Sequence, residues 1–81
     1  MNSQTLTLYL RFGCGLCEEM LSQLRPLQEE LGFGLTIVDI DDDEDLERRY
    51  GALVPVLAAT DGELCHYHLD PQRIRHYFAG L

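Results

Sequence analysis

Between Thr5 and Leu31 the chain changes its hydrophobic period, and two thiols sit on the change. Thr5 to Leu10 alternate, with Leu6, Leu8 and Leu10 on one side and Thr5, Thr7 and Tyr9 on the other, as in a half-buried strand. From Gly15 onward Leu16, Met20, Leu21, Leu24, Leu27 and Leu31 recur at helical spacing. Cys14 and Cys17 therefore fall where a strand hands over to a helix, with Phe12 and Gly13 as the turn. Unpaired amides and the helix dipole at such a junction favour a thiolate over a thiol, which suits redox chemistry.

Pro26 falls inside the helical pattern, where it deletes an amide and crowds the Ser22 carbonyl; because Leu27 and Leu31 keep the same face, a kink is expected rather than an end. Gly32 supplies the stop. Leu35, Ile37, Val38 and Ile40 read as a second strand, so nearly continuous in apolar residues that burial on both faces is expected. Asp42 or Asp43 can cap a short helix to Tyr50, with Arg48 and Arg49 in its last turn and Gly51 after it. Connections this short imply a right-handed crossover between two adjacent parallel strands.

Leu53-Val54-Pro55 leads to a run from Val56 to Thr60, and Asp61-Gly62 separates it from Glu63 to His68, the strongest hairpin signal in the chain. Asp70 and Pro71 then open a last helix carrying Ile74, Tyr77, Phe78 and Leu81. The order is βαβαββα, an α/β chain of one domain over residues 1–81, without repeats, linkers or low-complexity tracts.

Charge narrows the partners. Fourteen acids oppose six arginines for a net charge of -8, which argues against nucleic acid. The run Asp41-Asp42-Asp43-Glu44 reads as a solvated loop and helix start, since it lacks the glycine and distal glutamate of a calcium loop. No apolar stretch reaches the roughly 20 residues of a membrane span, and Met1-Asn2-Ser3-Gln4-Thr5 has no basic region or cleavage pattern. A cytoplasmic, monomeric protein is expected. Three cysteines without an export signal fit a reducing compartment, where CxxC is catalytic or metal-binding rather than a staple.

Two separated motifs, Cys14-Gly15-Leu16-Cys17 and Tyr50-Gly51-Ala52-Leu53-Val54-Pro55, together make the chain resemble the small bacterial-type glutaredoxin-like proteins of the thioredoxin fold. The resemblance covers essentially the whole sequence. It implies a four-stranded mixed sheet in the order 2-1-3-4, with strand three antiparallel to strand one. Helices one and three lie on one face and helix two on the other. It also implies that Pro55 is cis and faces the cysteines; the residues alone favour a trans proline opening a strand.

With Cys14 exposed at the helix start and Cys17 one turn deeper, Cys14 is the expected nucleophile and Cys17 the resolving thiol of a thiol-disulfide oxidoreductase. The substrate would be a disulfide-containing protein or a low-molecular-weight thiol. Thioredoxin reductase or glutathione would be the reductant, and no bound cofactor is needed beyond glutathione as co-substrate. Arg11 matches the basic residue that glutaredoxins use for glutathione, or is a solvated strand-end arginine. Val54 offers its backbone amide and carbonyl to an extended peptide or to glutathione, while its side chain also suits the core. Asp70 suits an ammonium group.

The chain departs from the pattern in its Gly-Leu dipeptide, in having no tryptophan, and in His66-Tyr67-His68 replacing a Gly-Gly turn, which should narrow the groove for glutathione. Two rival readings keep the same residues. One is a zinc or iron-sulfur site built from Cys14 and Cys17 with Cys65, His66 or His68; the other is a non-catalytic module of the same fold. Cys65 otherwise reads as a small half-buried strand residue. Tyr9, Tyr50, Tyr67, Tyr77 and Phe78 read as core or half-core aromatics.

Overall fold

The computed structural model describes residues 4–80. Met1, Asn2, Ser3 and Leu81, the last expected on the final helix, lie outside the described residues. The elements are β1 (Thr5–Leu10), α1 (Gly15–Leu31), β2 (Gly34–Asp39), a 3-10 turn (Ile40–Asp42), α2 (Glu44–Tyr50), β3 (Val56–Ala59), β4 (Gly62–His66) and α3 (Pro71–Ala79). They form one mixed sheet in the order β2-β1-β3-β4, as the resemblance implied.

Alternation in β1 decides the layering. Leu6, Leu8 and Leu10 are buried against Met20, Leu24 and Leu27 of α1 and Ile74 of α3, with Leu57 of β3 in the same cluster. Each such leucine contributes about 1.5–3 kcal/mol by leaving water. Tyr9, on the other side of β1, stacks on Tyr50 of α2 with ring centroids 4.5 Å apart. Thus α1 and α3 share one face of the sheet and α2 takes the other.

β1 pairs in parallel with β2, Leu8 opposite Ile37, and antiparallel with β3, Leu8 opposite Leu57 and Tyr9 opposite Val56. Extending that register sets Pro55 and Val54 beside Leu10 and Arg11, at the end of the sheet where the cysteines lie. The helix α1 runs through Pro26 without ending and stops at Gly32, whose φ of 74° favours glycine.

Three expectations change. β2 is not buried on both faces: it is the outer strand, Ile37 is 40% exposed, and Ile40 reaches the core only by leaving the strand for the 3-10 turn. The short α2 cannot cover the length of β2. The hairpin turns on Thr60-Asp61, with Gly62 already paired to Ala59, so the glycine starts the strand instead of closing the turn. β4 stops at His66 instead of His68, because Tyr67 takes a left-handed φ of 65° that no ladder accommodates.

Candidate active site

β1 delivers the chain to Arg11, and Gly13 turns it through a φ of 81° that other side chains disfavour. Cys14 follows in extended conformation as the N-cap of α1. Its Sγ stands where a serine or aspartate oxygen stands in other caps and accepts the amide of Cys17 at 3.2 Å. Cys14 is partly exposed and Cys17 only 1% exposed, both as free thiols. The exposed-then-buried arrangement expected of nucleophile and resolving thiol is present. Burial, reinforced by the hydrogen bond with Cys14, pushes the Cys17 thiol up to about 11, against an opposing pull from the Arg11 backbone.

Arg11 adds only a small opposing charge effect at Cys17, because its guanidinium is also held by acids. Its Nε donates to Asp41 Oδ1 at 2.9 Å and its Nη2 to Glu47 Oε1 at 3.2 Å. The acidic run read as a solvated loop therefore has a specific structure. Asp39 caps the 3-10 turn, Asp43 caps α2, and Asp41 reaches across to the strand end. No local spacing announces that last contact, which joins residues 30 apart.

On the other flank the Val54–Pro55 bond is cis and Pro55 is fully buried. The expectation that Val54 offers its amide is corrected: that N–H donates to the Tyr50 carbonyl at 3.0 Å, beside the Leu53 amide at 2.8 Å, closing the turn after α2. Among the described residues no donor is paired with the Val54 carbonyl. Tyr67 clasps this loop twice. Its N–H donates to the Pro55 carbonyl at 3.0 Å and its hydroxyl to the Ala52 carbonyl at 2.7 Å. The expectation of a core or half-core aromatic at Tyr67 did not include these two bonds, and the ring stays 40% exposed.

Asp70 caps α3 by accepting the Arg73 amide at 3.1 Å, and its own amide partly offsets the burial that raises the Cys65 thiol. His66 Nδ1 is 2.7 Å from Glu63 Oε2. Among the described residues no three His, Cys, Asp or Glu side chains converge as a metal-binding set, so Cys65, His66 and His68 do not join Cys14 and Cys17. Among them, too, no helix is long and apolar enough to cross a membrane.

A β2-β1-β3-β4 sheet with a CxxC pair capping α1 and a cis-proline beside it defines a thioredoxin-fold protein. The backbone superposes on yeast mitochondrial thioredoxin 3 with a TM-score of 0.67, over all of this chain and 81% of that one, at 18% identity. Residues 5–79 match the glutaredoxin-like domain family (DUF836), and the chain belongs to it. A protein of Nitrosomonas europaea, known from a solution structure, is 46% identical with a TM-score of 0.84, over 95% of this chain and 93% of that one. An X-ray structure of a protein from X. campestris is 39% identical with a TM-score of 0.73, over 94% and 97%. An uncharacterized protein of Mycobacterium tuberculosis is 29% identical over 80 residues, 93% of this chain and 82% of its own length.

Proposed function

We propose that the chain is a cytoplasmic, monomeric thiol-disulfide oxidoreductase acting through Cys14 and Cys17. The observation that carries this reading is the Cys17 amide directed at Cys14 Sγ at 3.2 Å, a backbone donor aimed at the more exposed of the two sulfurs. The Cys14 thiolate attacks one sulfur of a substrate disulfide, forming a mixed disulfide and releasing the other sulfur as a thiolate that takes a proton from water. Cys17 then gives up its proton, attacks Cys14 Sγ, and releases the second substrate thiolate. Two electrons pass from the dithiol to the substrate, leaving a Cys14–Cys17 disulfide.

A thioredoxin reductase or glutathione restores the dithiol. Pro55 and the Val54 carbonyl border an extended substrate, as an added strand would use them. Arg11 and the second carboxylate oxygen of Asp70 are the charged groups such a substrate meets further out. Protein disulfides and low-molecular-weight disulfides both fit this chemistry.

Mass spectrometry after reaction with a small disulfide tests the roles. Cys14→Ser is expected to lose exchange by at least about a thousandfold, the scale of a removed nucleophile. Cys17→Ser is expected to stop at a mixed disulfide on Cys14. Preferential alkylation of Cys17 in the reduced protein reverses the assignment, and stoichiometric zinc or iron lost in Cys17→Ser replaces the reading with a metal site.

A further inference from the structure

Beside Cys17 the surface opens into a pocket of about 230 Å³, lined by Leu10, Phe12, Cys17 and Leu21 together with Arg11 and Glu18. That volume is below the roughly 300–1,000 Å³ of pockets that enclose a whole small ligand. It exceeds the roughly 150 Å³ of an apolar cavity that takes up benzene. The space therefore matches one leucine- or phenylalanine-sized side chain. Phe12, in the lining, is 76% exposed, and Leu16, two residues beyond Cys14, is 37% exposed.

The charges around it select further. Arg11 is the one cation in the lining, and Asp41 and Glu47 both hold it. Glu18 adds an exposed carboxylate, and the chain as a whole carries -8. An anionic group brought here meets net repulsion within the roughly 10 Å over which charges are felt at 0.1 M salt.

Building on the disulfide-exchange reading, we propose that this pocket receives an uncharged apolar side chain flanking the reacting half-cystine of a protein disulfide. The covalent step is unchanged: Cys14 attacks the substrate sulfur, and the neighbouring side chain seats beside Cys17.

The test uses the full-length reduced chain and three synthetic peptides, each with one internal disulfide and leucine, alanine or glutamate next to a half-cystine. The leucine peptide is expected to exceed the alanine peptide about tenfold in kcat/KM, the lower end of what burying such a side chain supplies. The glutamate peptide should fall several-fold below alanine. Phe12→Ser, at a solvated position, should bring the leucine-to-alanine ratio towards one, and Asp41→Asn should raise the glutamate-to-alanine ratio by freeing Arg11. Equal rates for leucine and alanine peptides, with exchange intact, sink the subsite alone. If neither the peptides nor an uncharged small disulfide reacts, the exchange reading falls as well. Sedimentation equilibrium covers the other occupant: a dimer undone by Phe12→Ser assigns the pocket to a second copy of the chain and overturns the proposal.

Discussion

The two flanks of the thiol pair are secured by different forces. On one side Arg11 is held by Asp41 and Glu47, through ion pairs whose side chains are 35–55% exposed. On the other the Ala52–Pro55 loop is held by hydrogen bonds from Tyr67 and closed on itself by the Tyr50 carbonyl. Charge in open solvent is weak and screened by salt; neutral hydrogen bonds beside a buried proline are not screened. One flank of the site is thus tunable by ionic conditions, and the other is set by shape. Between them lies the helix cap Cys14, with the buried thiol of Cys17 one turn behind it.

The largest expected effect breaks what both flanks enclose. Burial raises Cys17 from an ordinary value of 9.0 to about 11, so the folded state binds that proton more tightly than the unfolded one. The resulting stability is complete below about pH 9 and is lost as pH rises through about 11, amounting to order 2 kcal/mol. Denaturant midpoints of the reduced protein should fall across that window, and Cys17→Ala should abolish this component of the fall. The second step of exchange should also speed up as pH rises, because burial still holds the Cys17 proton in the mixed disulfide, and stopped reactions should then show less mixed disulfide. A pH-independent midpoint between 8 and 11 contradicts the account.

Tyr67→Phe sharpens the shape-set flank. It removes the hydroxyl bond to Ala52 and keeps the ring, so about 0.5–1.5 kcal/mol of stability should be lost with no dependence on salt. On the proposed reading, in which this loop borders the substrate, KM for peptide disulfides should rise more than kcat changes, because the loop is loosened while the thiols are untouched. Tyr67→Gly relieves the left-handed backbone and keeps the N–H bond to Pro55 but loses the hydroxyl and the ring; its KM should match or exceed that of Tyr67→Phe. A tyrosine that only fills space would leave KM unmoved in the phenylalanine variant.

The smallest effect belongs to the charged flank. Arg11→Ala should lower the denaturant midpoint less than Tyr67→Phe does, and the difference from the parent should shrink as sodium chloride is raised, since exposed pairs contribute little. A loss that persists at high salt would mean that the arginine stem packs more than its charge pairs.

The order of elements, the leucine face of β1, the caps at Asp43 and Asp70 and the position of the thiols were all legible because they rest on local periodicity and on side chains that satisfy nearby amides. The resemblance carried by two motifs placed the strands and the cis-proline. What stayed hidden was long-range. Whether β2 is inner or outer depends on how much of it the seven-residue α2 can cover. Whether Arg11 faces substrate or Asp41, and whether Tyr67 enters the core or straps a loop 15 residues away, depends on which backbone the fold brings alongside. A dithiol at a helix start is written in the sequence, since the helix makes its own free amides. The shape and charge of the walls around it belong to the tertiary structure, because they arise from contacts between segments that share no local pattern.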